Sequence, residues 1–105
     1  GSSDCPVEPY NPFLGIYAAV TRQDLDGWPE GGWYPENKLS VYEALCLYTK
    51  NGAYASFEEK IKGTITPGKL ADFILLDADP YAVPPAELKN IHVLKTYLGG
   101  EVTFE

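Results

Sequence analysis

Apolar residues fall into two kinds of pattern along this chain. In the first half they recur at helical spacing. Phe13, Ile16, Tyr17 and Val20 occupy i, i+3, i+4 and i+7, which places one apolar face on a helix from Pro12-Phe13 to Arg22. Proline suits the first turn, where its missing N–H costs nothing. Val41, Ala44, Leu45 and Tyr48 line a second helical face. Ser40 and Glu43 open that helix as an S-x-x-E capping box, and Asn51-Gly52 is expected to stop it. A further Ser56–Glu59 pair predicts a short helix ending near Gly63.

In the second half the pattern turns to strands. Phe73, Ile74, Leu75 and Leu76 form an unbroken apolar run between Pro67-Gly68 and Asp79-Pro80, and so predict a strand buried on both faces. A brief helical turn is expected around Ala86 to Leu88. Ile91 to Leu98 and Glu101 to Phe104 then read as two strands joined by Gly99-Gly100 in a tight hairpin. The stretch between the first two helices, Gln23 to Lys38, shows no periodicity. It combines acidic residues and Gly-Gly with Trp28, Trp33 and Tyr34, and a loop this long within a compact domain is usually functional or disordered. Three large aromatics argue against disorder. They either pin the loop to the body or form a lid or wall for a substrate.

Composition narrows the functional classes. The chain has 105 residues and a formal net charge of −7, with eight Lys plus Arg against fifteen Asp plus Glu. Without a basic patch, a nucleic-acid partner is not expected. No stretch is long and apolar enough for a transmembrane helix, so no membrane partner is expected. Gly1 to Pro9 has neither a basic nor an apolar leader region, so no signal peptide is expected and a cytoplasmic location is. Cys5 and Cys46 are too few for a disulfide scaffold. Free thiols in a reducing compartment are the expectation, with a single bridge left open.

Candidate chemistry is sparse. Cys5 beside Asp4 suggests a thiol nucleophile only if a base joins it, and the single histidine, His92, has no motif linking it to Cys5. Asp77 and Asp79 lack the alternating oxygen ligands of a calcium loop and read as a solvated turn. Asp4, in a Ser-Ser-Asp run, reads from its neighbours alone as ordinary turn chemistry.

Three segments change that picture in combination: GSSDCPVEPYNPFLGIYAAVTR (Gly1 to Arg22), LSVYEALCLYTKNGAYASFEEKIKGTITPGKLADFILLD (Leu39 to Asp77) and VLKTYLGGEVTFE (Val93 to Glu105). Together they resemble the C-terminal end of a metal-dependent hydrolase of the amidohydrolase superfamily. The nearest branch is the amidohydrolase family 3 type, which includes proteins labelled exoenzyme regulatory protein. The resemblance implies an α+β fold that is the C-terminal fragment of a (β/α)8-barrel hydrolase. Residues 1–61 would hold the end of the last barrel strand, its long loop and the last barrel helix. Residues 62–105 would form part of a small composite β-sandwich.

The resemblance also implies the chemistry. Asp4 would be the catalytic aspartate after the last strand, contacting a divalent metal (zinc in the first instance) and accepting a proton from the attacking water. Its position at the C-terminal end of a barrel strand is where catalytic groups lie in that fold. Residues 5–39 would then be one strand-to-helix loop on the active-site face, and Trp28, Trp33 and Tyr34 would line the channel of a small amide-like substrate. The family's metal centre also needs several histidines. His92 falls in the β-rich part, away from the metal, so this chain alone is expected to be inactive and to hold no metal. A non-catalytic β-rich interaction or assembly module is the competing reading. Strands built to pair with partners outside these segments imply self-association through unpaired edges.

Overall fold

The computed structural model describes all 105 residues, and each element follows from its local sequence. Helix α1 spans Pro12–Thr21. The Asn11 side-chain oxygen accepts the Phe13 N–H at 3.0 Å, and Pro12 opens the first turn. The helix ends at Arg22 in the left-handed region, where its N–H donates to the Ala18 carbonyl. Phe13, Ile16 and Tyr17 are buried as their spacing predicts. They join Ala44, Leu88 and Ile91 in a single core cluster.

Helix α2, Val41–Leu47, starts with the full capping box. The Glu43 N–H donates to Ser40 Oγ, and the Ser40 N–H donates to Glu43 Oε2 at 2.9 Å. Asn51-Gly52 does not stop it. The break comes earlier, at Tyr48-Thr49, and Asn51 and Gly52 lie inside a new helix, α3, Lys50–Ala55. The break lies in the backbone of Thr49, whose φ of −128° and ψ of −101° leave the helical region, while its hydroxyl donates to the Leu45 carbonyl at 2.8 Å. The helix expected from Ser56 to Gly63 is also absent. Ser56 closes α3 instead of opening a helix, donating to the Gly52 and Ala53 carbonyls and to Glu58 Oε2. Phe57 follows with φ of 60°, and residues 58–62 form a turn folded on the Glu58 carbonyl.

The Pro67-Gly68 turn forms as expected, with Gly68 at φ 91° and the Lys69 N–H on the Thr66 carbonyl. Strand β1 is Phe73–Leu76. A 3₁₀ segment, Pro85–Asn90, lays Leu88 against α1. Strands β2, Val93–Leu98, and β3, Glu101–Phe104, complete an antiparallel sheet of order β1-β2-β3. Gly99 and Gly100 both take positive φ, the signature of the primed hairpin turn. The turn is held to the entry of β1 by the Gly99 N–H on Asp72 Oδ1 and the Gly100 N–H on the Ala71 carbonyl. The Phe73 and Tyr97 rings stack across the β1–β2 pair at 4.5 Å.

The expectation that Phe73–Leu76 is buried on both faces is corrected. Ile74 and Leu75 are 43% and 44% exposed. The sheet meets the helical core through Leu76 and Val93, and no other layer of this chain covers it. Pairing of Ile74 with Thr96 and of Thr96 with Phe104, together with alternation along β2, puts Ile74, Leu94, Leu98 and Phe104 on one open face. Only nine of the 105 residues are buried, so much of the apolar surface lies outside the core. No helix is long and apolar enough to cross a membrane.

Candidate functional site

The segment before α1 folds as a tight turn. The Asp4 N–H donates to Ser2 Oγ at 3.1 Å, the Val7 N–H to the Asp4 carbonyl, and the Glu8 N–H to the Ser3 carbonyl. Asp4 has φ of 48°, a left-handed conformation that aspartate tolerates better than most residues. Its side chain is exposed.

Beside this turn is a cleft of about 590 Å³. Its lining includes Ser2, Ser3, Glu8, Leu14, Tyr17 and Tyr48. The geometry depends on a glycine. A Cβ at Gly15 would lie 2.0 Å from the Tyr48 hydroxyl, so the absent side chain lets the Tyr48 ring approach α1. Tyr17 is buried, and its hydroxyl donates to the Asp24 carbonyl at 2.8 Å. This bond ties the start of the long loop to α1.

The loop is well anchored through its backbone. The Asp24 carboxylate accepts the N–H groups of Asp26 and Trp28, and Gln23 Nε2 donates to the Gly27 and Pro29 carbonyls. The Trp33 N–H donates to the Arg22 carbonyl, and Arg22 Nε donates to the Trp33 carbonyl. The aromatic side chains remain largely in solvent, with Trp28 72% exposed and Trp33 60%. The Arg22 guanidinium lies over the Trp33 ring at 5.5 Å, and Trp33 meets Tyr34 edge-on at 4.7 Å. Neither Asp4 nor any of these three aromatics lines the cleft.

Away from the cleft, His92 sits one residue before β2 and not within it. Its N–H donates to Asp77 Oδ1 at 2.9 Å, and its Nδ1 lies 3.1 Å from Asp77 Oδ2. The backbone bond from His92 is the main reason the Asp77 carboxyl is held below its ordinary range; the imidazole adds to it. Cys5 is exposed and Cys46 buried, both as free thiols.

As a metal site the chain is incomplete. No group of three or more His, Cys, Asp or Glu side chains comes together anywhere in it, whereas a catalytic zinc takes about three protein ligands. Asp4 stands alone as an exposed carboxylate. Residue patterns did not single out Tyr48, Leu14 or Glu8 as cleft residues. The one available signal was Gly15, a glycine inside a helix, where it is unfavourable unless something packs closely against it.

Comparison with known proteins adds a family. The profile of the Amidohydrolase family matches residues 1–104. YtcJ of Bacillus subtilis (strain 168), provisionally assigned as an amidohydrolase, is 42% identical over 106 residues, covering 100% of this chain and 20% of that protein. The N-substituted formamide deformylase of Arthrobacter pascens is 36% identical over 104 residues, 99% of this chain and 19% of the relative. Protein LONG AFTER FAR-RED 3 of Arabidopsis thaliana is 35% identical over 99 residues, 94% of this chain and 16% of the relative. The chain thus spans about one fifth or less of the length of these relatives. No solved structure matches it.

Proposed function

This chain belongs to the amidohydrolase family, and from that membership we propose that it is the C-terminal portion of a metal-dependent hydrolase cleaving carbon–nitrogen bonds outside peptides. The observation that carries the reading is the match of nearly every residue, 1–104, to that family. Residues 1–61 supply the end of the last strand, the long loop and the last helix of a (β/α)8 barrel. Residues 62–105 supply part of a small β-domain. The exposed apolar face of the three-stranded sheet supports this division, because it is surface that a further layer would cover.

In this reading Asp4 is the catalytic carboxylate and one ligand of a divalent metal, zinc by preference. The residues of this chain do not complete such a site, so the remaining ligands belong to other parts of the protein. The chain by itself is inactive. Trp28, Trp33 and Tyr34 stand on the active-site face as walls of the substrate channel. A deformylase of N-substituted formamides among the relatives makes small N-substituted amides the first substrates to try. The location is cytoplasmic. The uncovered sheet makes self-association the expected behaviour of the isolated chain.

The test is hydrolysis by the full-length protein that contains this segment. With N-substituted formamides and acetamides, amine release is expected, abolished by a chelator and restored by a divalent metal. No amine release from any of these substrates, or robust turnover by the 105-residue chain alone, would refute the reading.

A further inference from the structure

Lys89 is the one side chain from the second half of the chain that reaches the Gln23 to Lys38 loop by a hydrogen bond: its ammonium donates to the Leu25 carbonyl. The core fixes the place from which it does so. Its neighbour Leu88 is fully buried and Ile91 nearly so, and both belong to the cluster around α1. From there the Lys89 ammonium lies over the Tyr17 ring, 4.9 Å from its centroid. The Tyr17 hydroxyl in turn holds the Asp24 carbonyl at 2.8 Å. Two successive carbonyls of the loop, Asp24 and Leu25, are thus gripped by two side chains that touch each other. No carboxylate pairs with Lys89, although the chain is strongly acidic, so its charge serves the carbonyl and the ring.

What these ties hold is a self-contained turn. Asp24 accepts the N–H groups of Asp26 and Trp28 at Oδ1 and that of Gly27 at its carbonyl, and its own N–H donates to the Trp28 carbonyl. Gln23 Nε2 spans the Gly27 and Pro29 carbonyls. Such a turn keeps its shape by itself but needs outside contacts to fix its orientation. The Trp33 ring has neighbours of its own, Arg22 over its face and Tyr34 at its edge. The Trp28 ring has no aromatic or cationic neighbour. Its place is therefore set by the turn beneath it. The turn's place is set by Tyr17, Lys89 and the Gln23 N–H on Thr21 Oγ1.

We infer that Lys89 is a positioning residue for Trp28: it locks the turn of residues 23–29 onto α1 and so sets where the indole stands. That Trp28 meets a substrate rests on the hydrolase reading; the lock itself does not.

The test compares two variants of the full-length protein. Lys89→Met keeps an apolar side chain over Tyr17 and removes the ammonium; Lys89→Arg keeps a cationic donor. Opening the turn swings the Leu25 carbonyl away, so the lock exists only in the closed state. Hydrogen exchange at the Asp26, Gly27 and Trp28 amides, followed by mass spectrometry, should speed up about fivefold in Lys89→Met, the effect of one net hydrogen bond. In Lys89→Arg it should stay within about twofold of the unsubstituted protein. Lys95→Met, which breaks the pair with Glu105 in the hairpin, should leave these amides unchanged. With an N-substituted formamide, Lys89→Met should raise KM at least about twofold with kcat unchanged. In a Trp28→Ala background it should add nothing to KM. Unchanged exchange, equal acceleration in Lys89→Arg or Lys95→Met, an unchanged KM, or a KM effect that persists without Trp28 overturns the inference. Hydrolysis with undisturbed exchange in Lys89→Met refutes the lock and leaves the hydrolase reading standing. No hydrolysis, with faster exchange confined to Lys89→Met, sustains the lock and removes that reading.

Discussion

Replacing Gly15 with alanine tests the packing of α1 against Tyr48 at a single atom. Two effects oppose each other. Alanine in a helix interior is favoured over glycine by about 0.8–1 kcal/mol. The new Cβ, however, would lie 2.0 Å from the Tyr48 hydroxyl and 3.1 Å from the ring carbon bearing it. Overpacking of this kind typically costs about 1–3 kcal/mol, toward the lower end when the obstructing group is the far end of a side chain that can swing away. The net expectation for Gly15→Ala is a destabilisation of about 1 kcal/mol. In a Tyr48→Ala background the obstacle is gone, and the same change should stabilise by up to about 1 kcal/mol. The coupling between the two sites is therefore about 2 kcal/mol, well above the scatter of independent positions. Urea unfolding of the four proteins, followed by far-UV circular dichroism, measures it. An equal effect of Gly15→Ala in both backgrounds would show that Tyr48 does not press on α1, and the described wall of the cleft would be wrong.

Other consequences can be checked with simpler measurements. Ser40→Ala removes the N-cap of α2 and should lower stability by about 1 kcal/mol, read as a drop in Tm; an unchanged Tm would mean the capping box is not formed. Asp77 is held below its ordinary range chiefly by the His92 N–H, so its folded value lies under its unfolded one. Its contribution is present above the unfolded carboxylate value and is lost as pH falls through the folded one. The protection factor of the His92 amide should therefore fall as pH drops through the folded Asp77 value, and Asp77→Asn should remove that acid limb while keeping the Oδ1 acceptor. The same limb in the variant would contradict the assignment. Self-association through the open sheet face should appear in light scattering of the 105-residue chain and be reduced by Leu94→Lys or Phe104→Lys. A monomer at millimolar concentration before substitution would count against it.

Much of the fold is legible wherever one local interaction decides the conformation. The Ser40–Glu43 box, Pro12 at the start of α1, the Pro67-Gly68 turn and the Gly99-Gly100 hairpin all form, because each is settled within four residues. Local signals misled where the chain had already turned or the side chain found another partner. Asn51-Gly52 resembles a helix stop, but the ladder has already broken at Thr49, whose backbone leaves the helical region. Ser56 carries a capping-box spacing, yet its hydroxyl serves the carbonyls at the end of α3. Phe73–Leu76 has the composition of a doubly covered strand. Composition reports the cover a strand is suited to, whereas exposure reports the cover this chain supplies. The candidate site was harder to read. Asp4 stands out only through the family motif, since its own contacts are those of an ordinary turn. The cleft depends on Gly15 and Tyr48 meeting across two helices, a long-range contact that periodicity does not encode.

The most direct test of the hydrolase reading is Asp4→Asn in the full-length protein, assayed for amine release from an N-substituted formamide at saturating metal and substrate. Asparagine preserves the size of the side chain and the turn, but it can neither carry the negative charge nor accept the proton. If Asp4 is the catalytic carboxylate, kcat falls at least about 100-fold, the lower end of what general acid–base groups contribute, while circular dichroism is unchanged. A kcat within about threefold of the unsubstituted enzyme, far below that contribution, would contradict the assignment and leave Asp4 a turn residue.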